Sequence, residues 1–215
     1  MKFSTATITI EGIAPLRFSK RHDAPKLTGE SADAYDARTV MEKAHWSEDG
    51  STLVIPATMM KAAIAGAASY TGEKIAGKGN RTWTGKFKAG TAIMQDIETD
   101  VPRSEVRTVS LYCDAQGGKG GKGGKSVLRR FPQANRWSAT FEIWVMDPEI
   151  TETKVRQMLD VAGMFGGLGT WAPRVGGMNG RFVVKKLLWK DNREFEPVTA
   201  RSTAPKVTAP VDKAA

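Results

Sequence analysis

Cysteine is nearly absent from this 215-residue chain, where Cys113 stands alone. That excludes an internal disulfide framework and fits a reducing compartment. Histidine is almost as scarce, with only His22 and His45. These residues fall short of the four Cys or His ligands that a structural zinc site wants, so neither metal nor cofactor is expected. Long apolar runs are missing too. No stretch approaches the ~18 apolar residues that span a bilayer, and threonines interrupt the N-terminus where a signal peptide has a continuous apolar segment. The expectation is a soluble, cytoplasmic protein without a membrane partner.

Acidic residues are also in deficit. The chain has 32 Lys and Arg against 23 Asp and Glu, giving a net charge of +9 and a pI near 9.7. Such a balance is the footprint of a protein that binds nucleic acid or another anionic surface; a soluble basic protein is the plainer alternative. The length suits one domain with a large insertion.

Alternation of Thr5, Thr7 and Thr9 with Ala6, Ile8 and Ile10 predicts a first strand over 5–13. Residues 18–50 are polar and irregular, a surface insertion with a short helix over 36–44. After Pro56 the apolar spacing becomes helical (Met60, Ala63, Ile64, Ala67), predicting a helix over 57–69 capped by Thr58. Its small residues, Gly66 among them, allow close packing on a sheet. Strands are predicted over 92–97 and 106–112. The clearest strand is 137–145, where Trp137, Ala139, Phe141, Ile143 and Val145 alternate with polar residues. Val155, Met158, Leu159 and Ala162 predict a second helix over 151–164, and 181–189 reads as a closing strand. From 194 to 215 the periodicity disappears, and a disordered tail is expected.

Three segments carry the candidate chemistry. Residues 72–90 read as a glycine-rich loop in which cations (Lys74, Lys78, Arg81, Lys86, Lys88) interleave with Trp83 and Phe87, as in single-strand binders. An ordinary loop with its aromatics in the core fits the same pattern. Residues 117–136 contain Lys119, Lys122, Lys125, Arg129, Arg130 and Arg136 and no acidic residue. Their Gly-Gly-Lys repeat predicts a flexible tip. It departs from a nucleotide-binding P-loop, which needs glycine where Lys119 stands. The third is 163–182, with seven glycines and the cations Arg174 and Arg181. Glycine at that density implies positive φ, close backbone approach or a phosphate cradle, with close packing on the first helix as one use.

The element order is that of the split βαβ, ferredoxin-like or RRM-like α+β fold: an antiparallel sheet with two helices on one face. Within that frame, three segments resemble the RAMP (repeat-associated mysterious protein) superfamily of CRISPR systems. They are Gly12-Ile-Ala-Pro-Leu16, the helix opening Val54-Ile-Pro-Ala-Thr-Met-Met-Lys-Ala-Ala-Ile64, and Pro173-Arg-Val-Gly-Gly-Met-Asn-Gly-Arg-Phe182. The likeness is to the backbone subunit that coats CRISPR RNA, or to a diverged or phage-borne relative. It implies a domain over 1–193 with insertions at about 18–50 and 101–136, the second being a basic β-hairpin "thumb". It further implies that Lys61 contacts the RNA backbone, and that Arg174 and Arg181 lie near the RNA or buttress the loop. The sequence departs from the family at Ala62, where glycine is common, and at Ala65, where an arginine is missing.

The function implied is non-catalytic binding of single-stranded RNA (or DNA) through Lys61, Lys78, Arg81, Trp83, Lys119, Lys122, Lys125, Arg129, Arg130, Arg174 and Arg181. Trp83, Phe87 or Phe131 would stack on bases. The partners implied are copies of the same chain along the strand and other effector-complex subunits. Some members of the superfamily cut RNA, so an endoribonuclease is the alternative, with His22 and His45 as acid–base candidates and Asp33 or Asp36 as a lone catalytic aspartate. A phage-borne single-strand binder or a complex-mimicking protein is a third reading.

Overall fold

The computed structural model of the protein describes residues 2–114 and 126–194. Its first strand, β1 (Lys2–Gly12), turns Ala6, Ile8 and Ile10 fully inward while Thr7 and Thr9 stay half-buried on the other face. β-branched residues at both parities suit a central strand, which is where β1 lies. After β2 (Leu16–Arg17) comes the insertion, with α1 (Ala32–Arg38) and a 3₁₀ turn at Val40–Lys43. Then follow β3 (Thr52–Ile55), α2 (Ala57–Thr71), α3 (Trp83–Gly90), β4 (Thr91–Ala92) and β5 (Ile97–Pro102). The hairpin strands are β6 (Arg107–Asp114) and β7 (Ser126–Ala134). β8 (Ser138–Val145), α4 (Glu152–Val161), a π-helical turn at Ala162–Gly166 and β9 (Phe182–Glu194) complete the order.

The main sheet runs β3-β5-β8-β1-β9, antiparallel at every step, with β4 also on β8. Because β1 and β5 are both antiparallel to β8, they are parallel to each other with β8 between them. β8 and β9 are likewise split by β1. This is the split βαβ arrangement expected from the element order. α2 and α4 pack on each other and bury Met60, Ile64, Val155, Met158 and Leu159 in one cluster with Ile8, Ile10, Ile143 and Phe182. Full burial of each such side chain is worth about 1.5–3 kcal/mol. The hairpin joins β2 in a second sheet, β2-β7-β6, in register from Arg107↔Gln133 to Asp114↔Ser126.

Several expectations are corrected. Residues 83–90 are helical rather than loop, and Phe87 is fully buried. The strand expected over 92–97 breaks into β4 and β5, with 93–96 outside both. Thr58 does not cap α2; the Ala57 amide donates instead to Asp96 (2.8 Å), the residue just before β5. Gly66 faces solvent, so it plays no part in packing α2 on the sheet. The short helix lies at Ala32–Arg38, earlier than expected, and the insertion is not merely superficial: Phe18, Val40 and Ala44 are buried. β9 continues to Glu194, paired with Lys2; the tail expected beyond it lies outside the described residues. No helix among the described residues is long and apolar enough to cross a membrane.

Candidate nucleic-acid interface

The glycine-rich loop is stitched to itself and to β2. Gly180 has φ +67°, its amide donates to Pro15 O (2.8 Å), and its carbonyl accepts from Leu168 N (3.0 Å). A Cβ there would collide with the Leu168 backbone, as one at Gly177 would with the Trp171 carbonyl. Most of these glycines are thus used where backbone approaches backbone, within the loop or against β2 and β9; against α2, a Cβ on Gly166 would make only ordinary contact, 3.9 Å from Ala63 O. Arg174 donates to the carbonyls of Gly166 (3.3 Å), Gly167 (2.6 Å) and Gly169 (3.3 Å), so it buttresses the loop.

At the loop's crest Trp171 holds φ +56°, a conformation that costs a non-glycine residue roughly 1–2 kcal/mol. It is exposed, and its indole lies 5.1 Å from the Phe131 ring of β7 and 5.1 Å from the Arg17 guanidinium. Arg17, fixed to Gln133 Oε1 by two hydrogen bonds, sits beside both rings, 6.0 Å from that of Phe131, and burial lowers its pKa. Backbone strain held in place by surrounding contacts is typical of functional sites.

Trp171 and Phe131 form one wall of an open cleft of about 490 Å³ between loop, insertion and hairpin. Lys20, Arg21, Lys43 and Arg129 line it, with no carboxylate among the lining residues. Lys43 is committed: its ammonium donates to Asp36 and to Arg130 O (2.7 Å), with 12% of its side chain exposed. Lys20, Arg21 and Arg129 are exposed and make no ion pair among the described residues. The cleft therefore offers three cations without an ion-pair partner among the described residues, beside the exposed ring of Trp171; Phe131, expected to stack on a base, is only 7% exposed and instead backs the Trp171 indole. That combination suits a phosphodiester strand with unpaired bases.

The residues expected from the sequence are scattered by the fold. Arg129 enters the cleft. Arg130 instead clamps α1: its guanidinium takes the Asp33 carboxylate (2.6 Å), and its amide donates to Asp36 (2.7 Å). The Arg130 hydrogen bond lowers the Asp33 pKa. Both aspartates are thereby occupied in holding the hairpin, which argues against a lone catalytic carboxylate. Lys61 is half-buried with its ammonium on Thr91 O, and burial lowers its pKa. Lys78 lies 3.6 Å from Glu149, and Arg81 is exposed. Trp83 packs against the core under Lys154 (5.1 Å), and with Phe87 buried neither presents a face for stacking. Lys119, Lys122 and Lys125 lie outside the described residues. Arg181 lies beside Arg174 in a separate groove.

His45 is half-buried, edge-on to Phe18 (5.4 Å), and its pKa is lowered by burial and then by Lys20. His22 lines the cleft against Tyr35, its Nδ1 buried without a hydrogen-bond partner among the described residues. Lys20, Arg21 and Trp171 escaped the sequence reading. The run Lys20-Arg21-His22 and a tryptophan set among glycines were the signals available.

No protein-family model matches the sequence, and no curated protein matches it. Solved structures do. A chain in the cryo-EM structure of the type III-B Cmr-beta bound to cognate target RNA superposes with a TM-score of 0.57 over 88% of this chain, at 12% identity. The chain shares the fold of that matched chain. It spans 61% of the length of that matched chain. Cmr6 from Pyrococcus furiosus aligns with a TM-score of 0.45, at 13% identity, over 84% of this chain and 98% of its own. In this fold the cleft sits where the β6–β7 hairpin and the glycine-rich loop face each other.

Proposed function

We propose that the protein is a non-catalytic subunit of a cytoplasmic CRISPR ribonucleoprotein effector complex, binding single-stranded RNA in the cleft between loop and hairpin. The observation that carries this is the set of three cations, Lys20, Arg21 and Arg129, without an ion-pair partner among the described residues and arranged beside the exposed Trp171, which Phe131 backs. The shared fold with a structure that holds target RNA supports it. CRISPR RNA is the natural strand for such a subunit, and copies of the chain or other subunits would continue along it.

The test is a mobility shift with labelled single-stranded RNA, with and without divalent metal. Retarded, intact RNA in both conditions is expected, accompanied by quenching of Trp171 fluorescence that a Trp171→Gly variant lacks. No shift at low salt overturns the binding reading. A complex mimic that ignores nucleic acid would behave that way.

One observation favours an endoribonuclease as the second reading. His22 lines the cleft, and a histidine beside a bound strand is the residue type most used for acid–base work. Time-dependent cleavage products abolished by His22→Ala would establish that reading in place of the first.

A further inference from the structure

On the other side of the glycine-rich loop, α2 and the π-helical turn enclose an open groove of about 630 Å³. Small residues line it, including Ala62, Gly66 and Ala67. Tyr70 and Phe165 stack at its edge, ring centroids 5.2 Å apart and planes within 18° of each other. Neither ring belongs to the core: Tyr70 is 68% exposed and Phe165 53%. Two large rings held parallel in water are costly unless something covers them. Phe165 reaches this position because α4 continues into a π-helical turn, a distortion frequent at functional sites.

The charge at the groove is of one sign. Arg174 and Arg181 line it and no carboxylate does. Arg174 spends its hydrogen bonds on neutral carbonyls, so its charge is not neutralised. The Arg181 Nε is buried without a hydrogen-bond partner among the described residues. A flat apolar platform flanked by two guanidiniums fits a nucleobase with its phosphate, because every base offers a π-face and arginine adds cation–π attraction to its charge. An apolar protein segment would use the rings and leave the guanidiniums without an anion.

We propose that Tyr70 and Phe165 form a second stacking platform for one unpaired nucleobase of the strand bound in the cleft, with Arg174 and Arg181 meeting the adjacent phosphate. This rests on the cleft being the primary RNA interface. The glycine-rich loop supplies the continuity: Thr170 and Trp171 face the cleft, and Gly166 and Arg174 face the groove. A strand crossing the loop would touch both.

The experiment measures affinity for single-stranded RNA of increasing length, from about 4 to 16 nucleotides, with 2-aminopurine scanned along the longer oligomers. The Tyr70→Ala/Phe165→Ala protein should bind long oligomers about 5- to 150-fold more weakly than wild type while keeping wild-type affinity for the shortest ones. One 2-aminopurine position should lose its quenching in that variant. A Tyr70→Trp/Phe165→Trp protein should restore both readouts. Equal loss at every length, no loss at any length, or a changed oligomeric state with unchanged RNA affinity each overturns the platform. The last result would assign the groove to a second copy of the chain. If wild type binds no oligomer of any length, the cleft reading fails and the platform falls with it.

Discussion

Removing the charge from Lys20, Arg21 and Arg129 together should flatten the salt dependence of RNA binding. Each phosphate neutralised on a single strand contributes a slope of about −0.7 to log K against log salt. Lys20, Arg21 and Arg129 in the cleft therefore contribute about −2, which corresponds to a roughly twentyfold loss of affinity between about 0.1 and 0.4 M salt. Lys43 and Arg130 add little to that figure, because each is already held by an aspartate and a phosphate would have to displace it. The assay is fluorescence anisotropy of labelled single-stranded RNA across a salt series. The three side chains are exposed and outside the core, so the thermal midpoint of the Lys20→Gln/Arg21→Gln/Arg129→Gln protein should match wild type. A slope unchanged within error would refute the assignment of these cations to phosphates. An equal flattening by Lys78→Gln/Arg81→Gln would show that the strand lies elsewhere.

Asp36→Ala removes the acceptor shared by Lys43 and the Arg130 amide and should cost about 2–4 kcal/mol in urea unfolding, since it strands a nearly buried ammonium. Asp36→Leu/Lys43→Met should recover most of that loss, and a cost below about 1 kcal/mol for Asp36→Ala would show that the pair does not hold hairpin to insertion. Gly180→Ala should destabilise by roughly 2–4 kcal/mol and open the loop to limited proteolysis, because φ is positive and the Leu168 backbone occupies the Cβ position. The hydrogen bond from Arg38, with a second from the Leu27 amide, holds the Glu30 carboxyl at about 2, below its ordinary 4.5. The unfolded chain therefore takes up this proton first, and the contribution to stability is complete above pH 4.5 and lost as pH falls towards 2. In an NMR titration Arg38→Gln should move the Glu30 midpoint upward, and an unmoved midpoint would contradict the pairing.

Periodicity was enough for β1, β8, α2 and α4, because each buries one continuous face and local spacing carries that information. It failed at α3, whose two apolar anchors, Trp83 and Phe87, lie among glycines and lysines that imitate a loop. Basic composition singled out Arg129 and Arg130 alike and could not separate them. Adjacent residues on a strand face opposite ways, and Arg130 turns to Asp33 while Arg129 turns to the cleft. The aromatics were misjudged for a related reason. Exposure decides whether a ring can stack on a base, and exposure belongs to the packed structure.

By itself the sequence determined the α+β class, the split βαβ order of core elements, the lack of any disulfide framework and the net positive charge, all of which follow from composition and local spacing. Tertiary structure alone decided which cations remain free and which rings stay exposed. The cleft draws on the insertion, the hairpin and the glycine-rich loop, segments spread along the chain from Ser19 to Trp171, and no local pattern encodes a meeting over that distance.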